Sequence, residues 1–156
     1  MDIPFHPMIV HFPIALLIIC VVFEALGRIL HQKHFHESGL WLLGLGLGTG
    51  VMAYLSGEQA EEAAEHAGIP ESLIEMHEIL ALATLSIFAF LFLFRFFQRK
   101  NFSDQMLGVY FFVALIGIGS LAATGHYGGD LVYKHGAGVS VGVSSVISYD
   151  HEDHDD

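Results

Sequence analysis

The sequence predicts an all-α protein: a four-transmembrane-helix up-down bundle with an acidic outer loop helix and both termini outside. Three observations carry this expectation. Hydrophobic residues make up 53% of the 156-residue chain and charged residues 15%, against roughly 25% charged in a typical soluble domain. The apolar residues gather into four runs, each close to the ~20 residues that a bilayer requires. Five of the six Lys and Arg fall in two places, after the first run and at the end of the third.

The first run, 8–30, opens between Pro7 and Pro13, where a starting helix tolerates proline. Asp2 precedes it without any Lys or Arg, so the positive region of a cleavable signal is missing and the span is expected to stay as an anchor. The second run, 40–55, is short and glycine-rich, with Gly44, Gly46, Gly48 and Gly50. The stretch from Glu58 to Gly68 is rich in Ala and Glu and reads as a solvated acidic helix over the bundle mouth, with Gly68 as its C-cap. Pro70 then starts a helix that passes His77 and enters the third run, 79–97. The fourth run is 106–125. Residues 1–139 are expected to form the transmembrane domain. Residues 140–156 read as a flap and an acidic, histidine-containing tail that is disordered.

Charge sets the expected orientation. Arg28 and Lys33 follow the first span, and Arg95, Arg99 and Lys100 follow the third. Cytoplasmic loops collect such residues, so both loops read as inside. The amino terminus, the 56–76 segment and the tail are then outside. That side holds Asp2, seven glutamates from Glu58 to Glu78, Asp130 and the acidic terminus. The net charge of −11 argues against nucleic acid as a partner. A single cysteine, Cys20, inside the first span rules out a disulfide framework.

The histidines then stand out. His11 lies about one turn into the first span, His77 just before the third apolar run, and His126 just after the fourth. In the up-down arrangement all three fall near the outer leaflet, with His6 and His135 slightly further out. His31, His34 and His36 fall in the inner loop and read as solvated, and His66 lies on the acidic helix. One interfacial histidine is most simply a side chain bonded to a carbonyl or a glutamate. Convergence from three helices argues for a site. Haem iron takes imidazole ligands, and four-helix bundles hold cofactors in their cores. The expected cofactor is haem b, with His11 and His77 as primary ligands and His6 and His126 as a second pair or as partners of the ligands. Gly44/Gly48, Gly46/Gly50, Gly117 and Gly119 would open a gap for it, although G-x-x-x-G is first a packing device. The run from Gly125 to Asp130 has the glycines for a tight turn that brings His126 back over the bundle mouth.

The alternative is a non-haem ion (Zn, Cu or Fe) at His11, His77 and His126, with Glu58, Glu62, Glu75 and Glu78 at hand. A proton or quinol site using Glu58 or Glu78 is a further candidate. A structural subunit of a respiratory complex, with the histidines merely hydrogen-bonded, is the remaining one. The Glu-x-x-His signature of di-iron bundles is absent, because Ile74 and Ala63 stand where Glu would precede His77 and His66. No His-Glu-x-x-His, nucleophile arrangement or phosphate loop occurs. The pattern points to an electron-transfer or cofactor-binding protein rather than a stand-alone enzyme.

Two motifs carry a resemblance. The opening H-P-x-x-V-H-F-P-I-A-L at 6–16 and the closing T-G-H-Y-G-G-D-L-V-Y at 124–133 are similar to those of an uncharacterised family of bacterial four-helix membrane domains. His77 fits as well, and the resemblance runs over roughly residues 4–139. It marks His6, His11, His77, His126, the Gly128-Gly129 turn and, where spacing varies, His135. Relatives fused to cytochrome c-like or Rieske-like domains imply electron transfer in the bacterial inner membrane. The expected partners of the chain are the lipid bilayer, a quinone, an outside redox protein and a second copy of the chain. This chain has neither a fused redox domain nor Cys-x-x-Cys-His, so it would need its own cofactor or a partner.

Overall fold

The computed structural model describes residues 5–66, 68–98 and 103–137. The expected flap and tail, 140–156, lie outside them. The described residues are all α: α1 Phe5–Ile9, α2 His11–Leu30, α3 Lys33–His66, α4 Glu71–Phe97 and α5 Asp104–Tyr133. Four helical stretches are long and apolar enough to cross a membrane: Phe5–Leu30, Lys33–Glu58, Glu71–Phe97 and Gln105–Tyr133.

Lipid removes the usual helical signal. Apolar residues face outward as well as inward, so only burial separates the two faces. The buried positions are Pro13, Leu17, Cys20, Glu24 and Gly27 on α2, and Gly39, Leu43, Gly46, Gly50 and Ala53 on α3. On α4 they include Thr84, Phe88, Leu91 and Arg95, and on α5 Leu107, Tyr110, Ala114, Gly117 and Leu121. Each set advances by alternating threes and fours, the spacing of a narrow seam between helices that cross at a shallow angle. The main core joins Leu17, Cys20, Leu43, Phe88, Leu91, Tyr110, Ala114 and Leu121. In a bilayer such a seam is held by close contact more than by the hydrophobic effect. The glycines permit that contact. A Cβ at Gly46 would stand 2.8 Å from Leu17 Cδ2, and one at Gly50 would stand 2.6 Å from Leu85 Cδ2. Gly44 and Gly117 likewise seat Phe92 and Phe88. These four notches are filled by neighbouring side chains.

The helices pack mainly as two hairpins, α2 with α3 and α4 with α5, joined through α3 and α4. The first hairpin turns tightly. His31 adopts the left-handed conformation (φ 54°), and Gln32 N–H bonds back to Gly27 O. That is the Schellman closure usually given to glycine. α3 ends the same way, with Gly68 at φ 78° and Ile69 N–H on Ala64 O, as the C-cap reading expected. Ala64 and Ile69 pack there against Ile74 and Leu131.

Two expectations change. The acidic segment is not a separate loop helix but the last turns of α3, which runs unbroken for 34 residues. That is about 51 Å of helix, well beyond the ~30 Å of hydrocarbon. The Gly125–Asp130 stretch is not a turn either. It lies inside α5, and the left-handed glycine is Gly136, beyond the helix end. Glycine between good helix formers costs roughly 1 kcal/mol each, which neighbouring contacts in α5 outweigh.

Where α3 meets α4, Glu61 and Glu78 share a hydrogen bond. Partial burial first, then the charge of Glu78 with Glu58 and Glu71 behind it, holds the Glu61 carboxyl above its usual value. The folded state therefore binds this proton more tightly than the unfolded chain. Its stabilising contribution is present in acid and is lost as pH rises through the raised value. Glu61→Gln is expected to raise the thermal unfolding midpoint at about pH 7 and leave it unchanged near pH 4. An equal gain at both values would remove charge repulsion as the cause.

Candidate functional site

Two polar groupings sit at the two ends of the bundle. At one end α1 delivers His6 and α4 delivers His77. His6 Nδ1 lies 2.9 Å from Ala53 O and 3.0 Å from Ser56 Oγ. Ser56 gives its own proton to Ala53 O at 2.8 Å. His77 Nδ1 lies 3.0 Å from Thr124 O. A carbonyl only accepts, so each Nδ1 carries a hydrogen and each neutral ring keeps a bare Nε2. Bonding of that kind fixes the orientation of a metal-ligating histidine. The two rings stand edge to face, with centroids 6.4 Å apart and planes at 88°.

The backbone makes room for both rings. A Cβ at Gly128 would fall 2.9 Å from His77 Cε1, so α5 passes the imidazole only because residue 128 is glycine. Gly57 lies beside His6 more loosely, at 3.5 Å. Beneath His77, Thr84, Ser120 and Thr124 tie α4 to α5. Thr84 Oγ1 is 2.7 Å from Ser120 Oγ and 3.2 Å from Thr124 Oγ1.

The other marked residues lie apart from this pair. His11 is exposed beside Phe12, Ala15 and Leu16. His126 is exposed (70%) and reaches toward Asp130 of its own helix at 4.0 Å. His135 is exposed just past α5. A Cβ at Gly129 would meet the Tyr133 ring at 3.9 Å, an ordinary contact. The geometry therefore pairs His77 with His6 and not with His11. Among the described residues, no group of three or more His, Cys, Asp or Glu side chains converges as an ion site.

The second grouping was not anticipated. Glu24, fully buried in α2, receives Arg95 Nε at 2.8 Å on one oxygen and His36 Nδ1 at 2.5 Å on the other. Three helices supply these three groups. The available signal was Glu24 itself, an acid in the middle of an apolar run, which costs too much in lipid to stand unpaired. By sequence alone His36 reads as solvated and Arg95 only as an orientation marker.

A family model described as "Predicted membrane protein (DUF2231)" matches residues 2–141. The chain belongs to the DUF2231 family. Membership in DUF2231 agrees with the membrane reading and carries no activity with it. No curated protein and no solved structure matches the chain. For this DUF2231 member the functional reading therefore rests on its own side chains.

Proposed function

We propose that this protein is a b-type electron carrier of the bacterial inner membrane, in which His6 and His77 would hold one haem. The spacing of the two rings is the observation that carries the reading. The observed separation is 6.4 Å. A haem needs only one or two protein ligands, whereas a zinc site of the usual kind needs three or four. Haem would supply one-electron chemistry. The chain's part is to orient two nitrogens and to hold them between hairpins that meet mainly through α3 and α4.

Orientation follows from charge. Arg28, Lys33 and Arg95 lie at the Glu24 end. The positive-inside rule makes that end cytoplasmic and turns the His6–His77 end outward, with both termini outside in an up-down bundle. The proposed role is exchange of electrons between the quinone pool and an outside acceptor. The test is a reduced-minus-oxidised visible spectrum of the purified protein, expressed with adequate haem. A sharp α-band of low-spin haem is expected. A flat spectrum with no extractable haem would sink the reading, and metal analysis of the same sample would then decide for or against an ion.

A further inference from the structure

We propose that the chain is two copies of one helical hairpin, and that the His6–His77 site lies on the pseudo-two-fold axis between them, where one ligand meets both copies alike. The offset between the copies is 71 residues. It takes His6 to His77, and it takes Lys33, the first residue of α3, to Asp104, the first residue of α5. It also takes Gly46-x-Gly48-Thr49 to Gly117-x-Gly119-Ser120, and Gly57 to Gly128.

The same offset repeats contacts as well as letters. His6 Nδ1 bonds to Ala53 O and His77 Nδ1 to Thr124 O, each 47 residues further on. A Cβ at Gly57 would first meet His6 Cε1, and one at Gly128 would first meet His77 Cε1. A Cβ at Gly46 would meet Leu16 and Leu17, and one at Gly117 would meet Ile87 and Phe88. The buried Leu17, Cys20 and Glu24 of α2 return as Phe88, Leu91 and Arg95 of α4. Leu43, Gly46 and Gly50 of α3 return as Ala114, Gly117 and Leu121 of α5. A helix presents a similar face after three, four or seven residues, so these seams by themselves would accept other offsets. The histidines, their carbonyls and their glycines accept only this one.

Both copies begin at the same end of the bundle with their histidine, so the rotation that relates them runs along the bundle, as in membrane proteins built from parallel repeats. Under a two-fold rotation a residue touches its own counterpart only on the axis. Two counterpart pairs do so. His6 faces His77 with ring centres 6.4 Å apart, and Glu24 binds Arg95 at 2.8 Å. In each copy the two positions are 18 residues apart, about 27 Å of helix. Leu17 with Phe88 and Cys20 with Leu91 belong to the core between them. The rotation is approximate, because the hairpins meet mainly through α3 and α4.

The axis explains why one end has diverged and the other has not. Two identical charges would repel there, so one copy carries Glu and the other Arg. At the outer end both copies keep histidine. Identical donors facing each other across an axis suit a ligand with the same chemistry on two opposite sides, as a haem iron has. The identity of that ligand rests on the haem reading, whereas the equivalence of the two histidines does not.

The test compares the two histidines in the whole protein. In haem-free protein in lipid bilayers at about pH 8, above the ordinary histidine value, solid-state 15N NMR should find both rings neutral and protonated at Nδ1. Subtraction in His6→Gln and His77→Gln assigns them, with Asn where a Gln variant does not fold. In haem-loaded protein, His6→Met and His77→Met should give the same mixed histidine–methionine spectrum and the same loss of haem affinity to within about threefold. Rings in different tautomers, or one Met variant that loses haem while the other keeps the wild-type spectrum, overturn the proposal. A wild-type protein that takes up no haem overturns the haem reading, and the tautomers then decide the equivalence by themselves.

Discussion

Arg95→Ala is expected to cost about 3–5 kcal/mol of stability, the usual price of leaving one partner of a buried ion pair behind. The substitution removes the guanidinium 2.8 Å from a carboxylate that is wholly buried. His36 would remain as its bonded neighbour, and an imidazole does not replace a permanent cation. Since whole domains are stable by only ~5–15 kcal/mol, most of the variant should fail to survive extraction as a folded monodisperse species. The companion experiment is the double change Glu24→Gln with Arg95→Met. It removes both charges at similar volume and should recover most of the loss. Thermal unfolding in detergent measures both. If Arg95→Ala unfolds at the wild-type temperature, the pair is not what joins the hairpins at this end.

Loss of haem from His6→Ala and His77→Ala, with retention in His11→Ala and His126→Ala, is the second large effect. His6 and His77 face one another with their Nδ1 hydrogens already engaged by Ala53 and Thr124. On the proposed reading, removing either ring would remove one of the two nitrogens that would hold the haem, so a sharp low-spin α-band should vanish or be replaced by a broad high-spin spectrum. His11 and His126 are exposed on other faces, and their removal should leave the spectrum and the haem content within error of wild type. The opposite pattern, with His11→Ala colourless and His6→Ala intact, would refute the pairing.

The spans were legible in the sequence because hydropathy and basic residues report them directly. Pro70 and Gly68 also marked their helix ends, since both act through local backbone chemistry. Three features were hidden, each for a physical reason. The continuity of α3 was masked by its glycines, which read as weakness but serve contact with Leu17, Leu85 and Phe92. The helical state of Gly128 and Gly129 was masked by the same ambiguity, because one of those glycines is there for the His77 ring. The choice of His6 over His11 depends on a rotation about the helix axis. Apolar residues on both faces conceal that rotation when one face meets lipid. Glu24 was the clearest missed signal. A lone carboxylate in an apolar run announces a partner, and Arg95 at the end of α4 was the available cation.

The unbroken length of α3 has a consequence for evolution of the sequence. One rod carries the carbonyl that holds His6 and, seventeen residues earlier, the imidazole that holds Glu24. Each residue advances the rod by about 100°. A single insertion or deletion between Leu43 and Ala53 would therefore put the two ends out of phase, turning one of them away from the bundle. Substitutions can accumulate along that stretch, but a change in its length cannot be absorbed locally. The two ends of the protein are locked to a common rotational register, and they can diverge in chemistry only by keeping the same count between them.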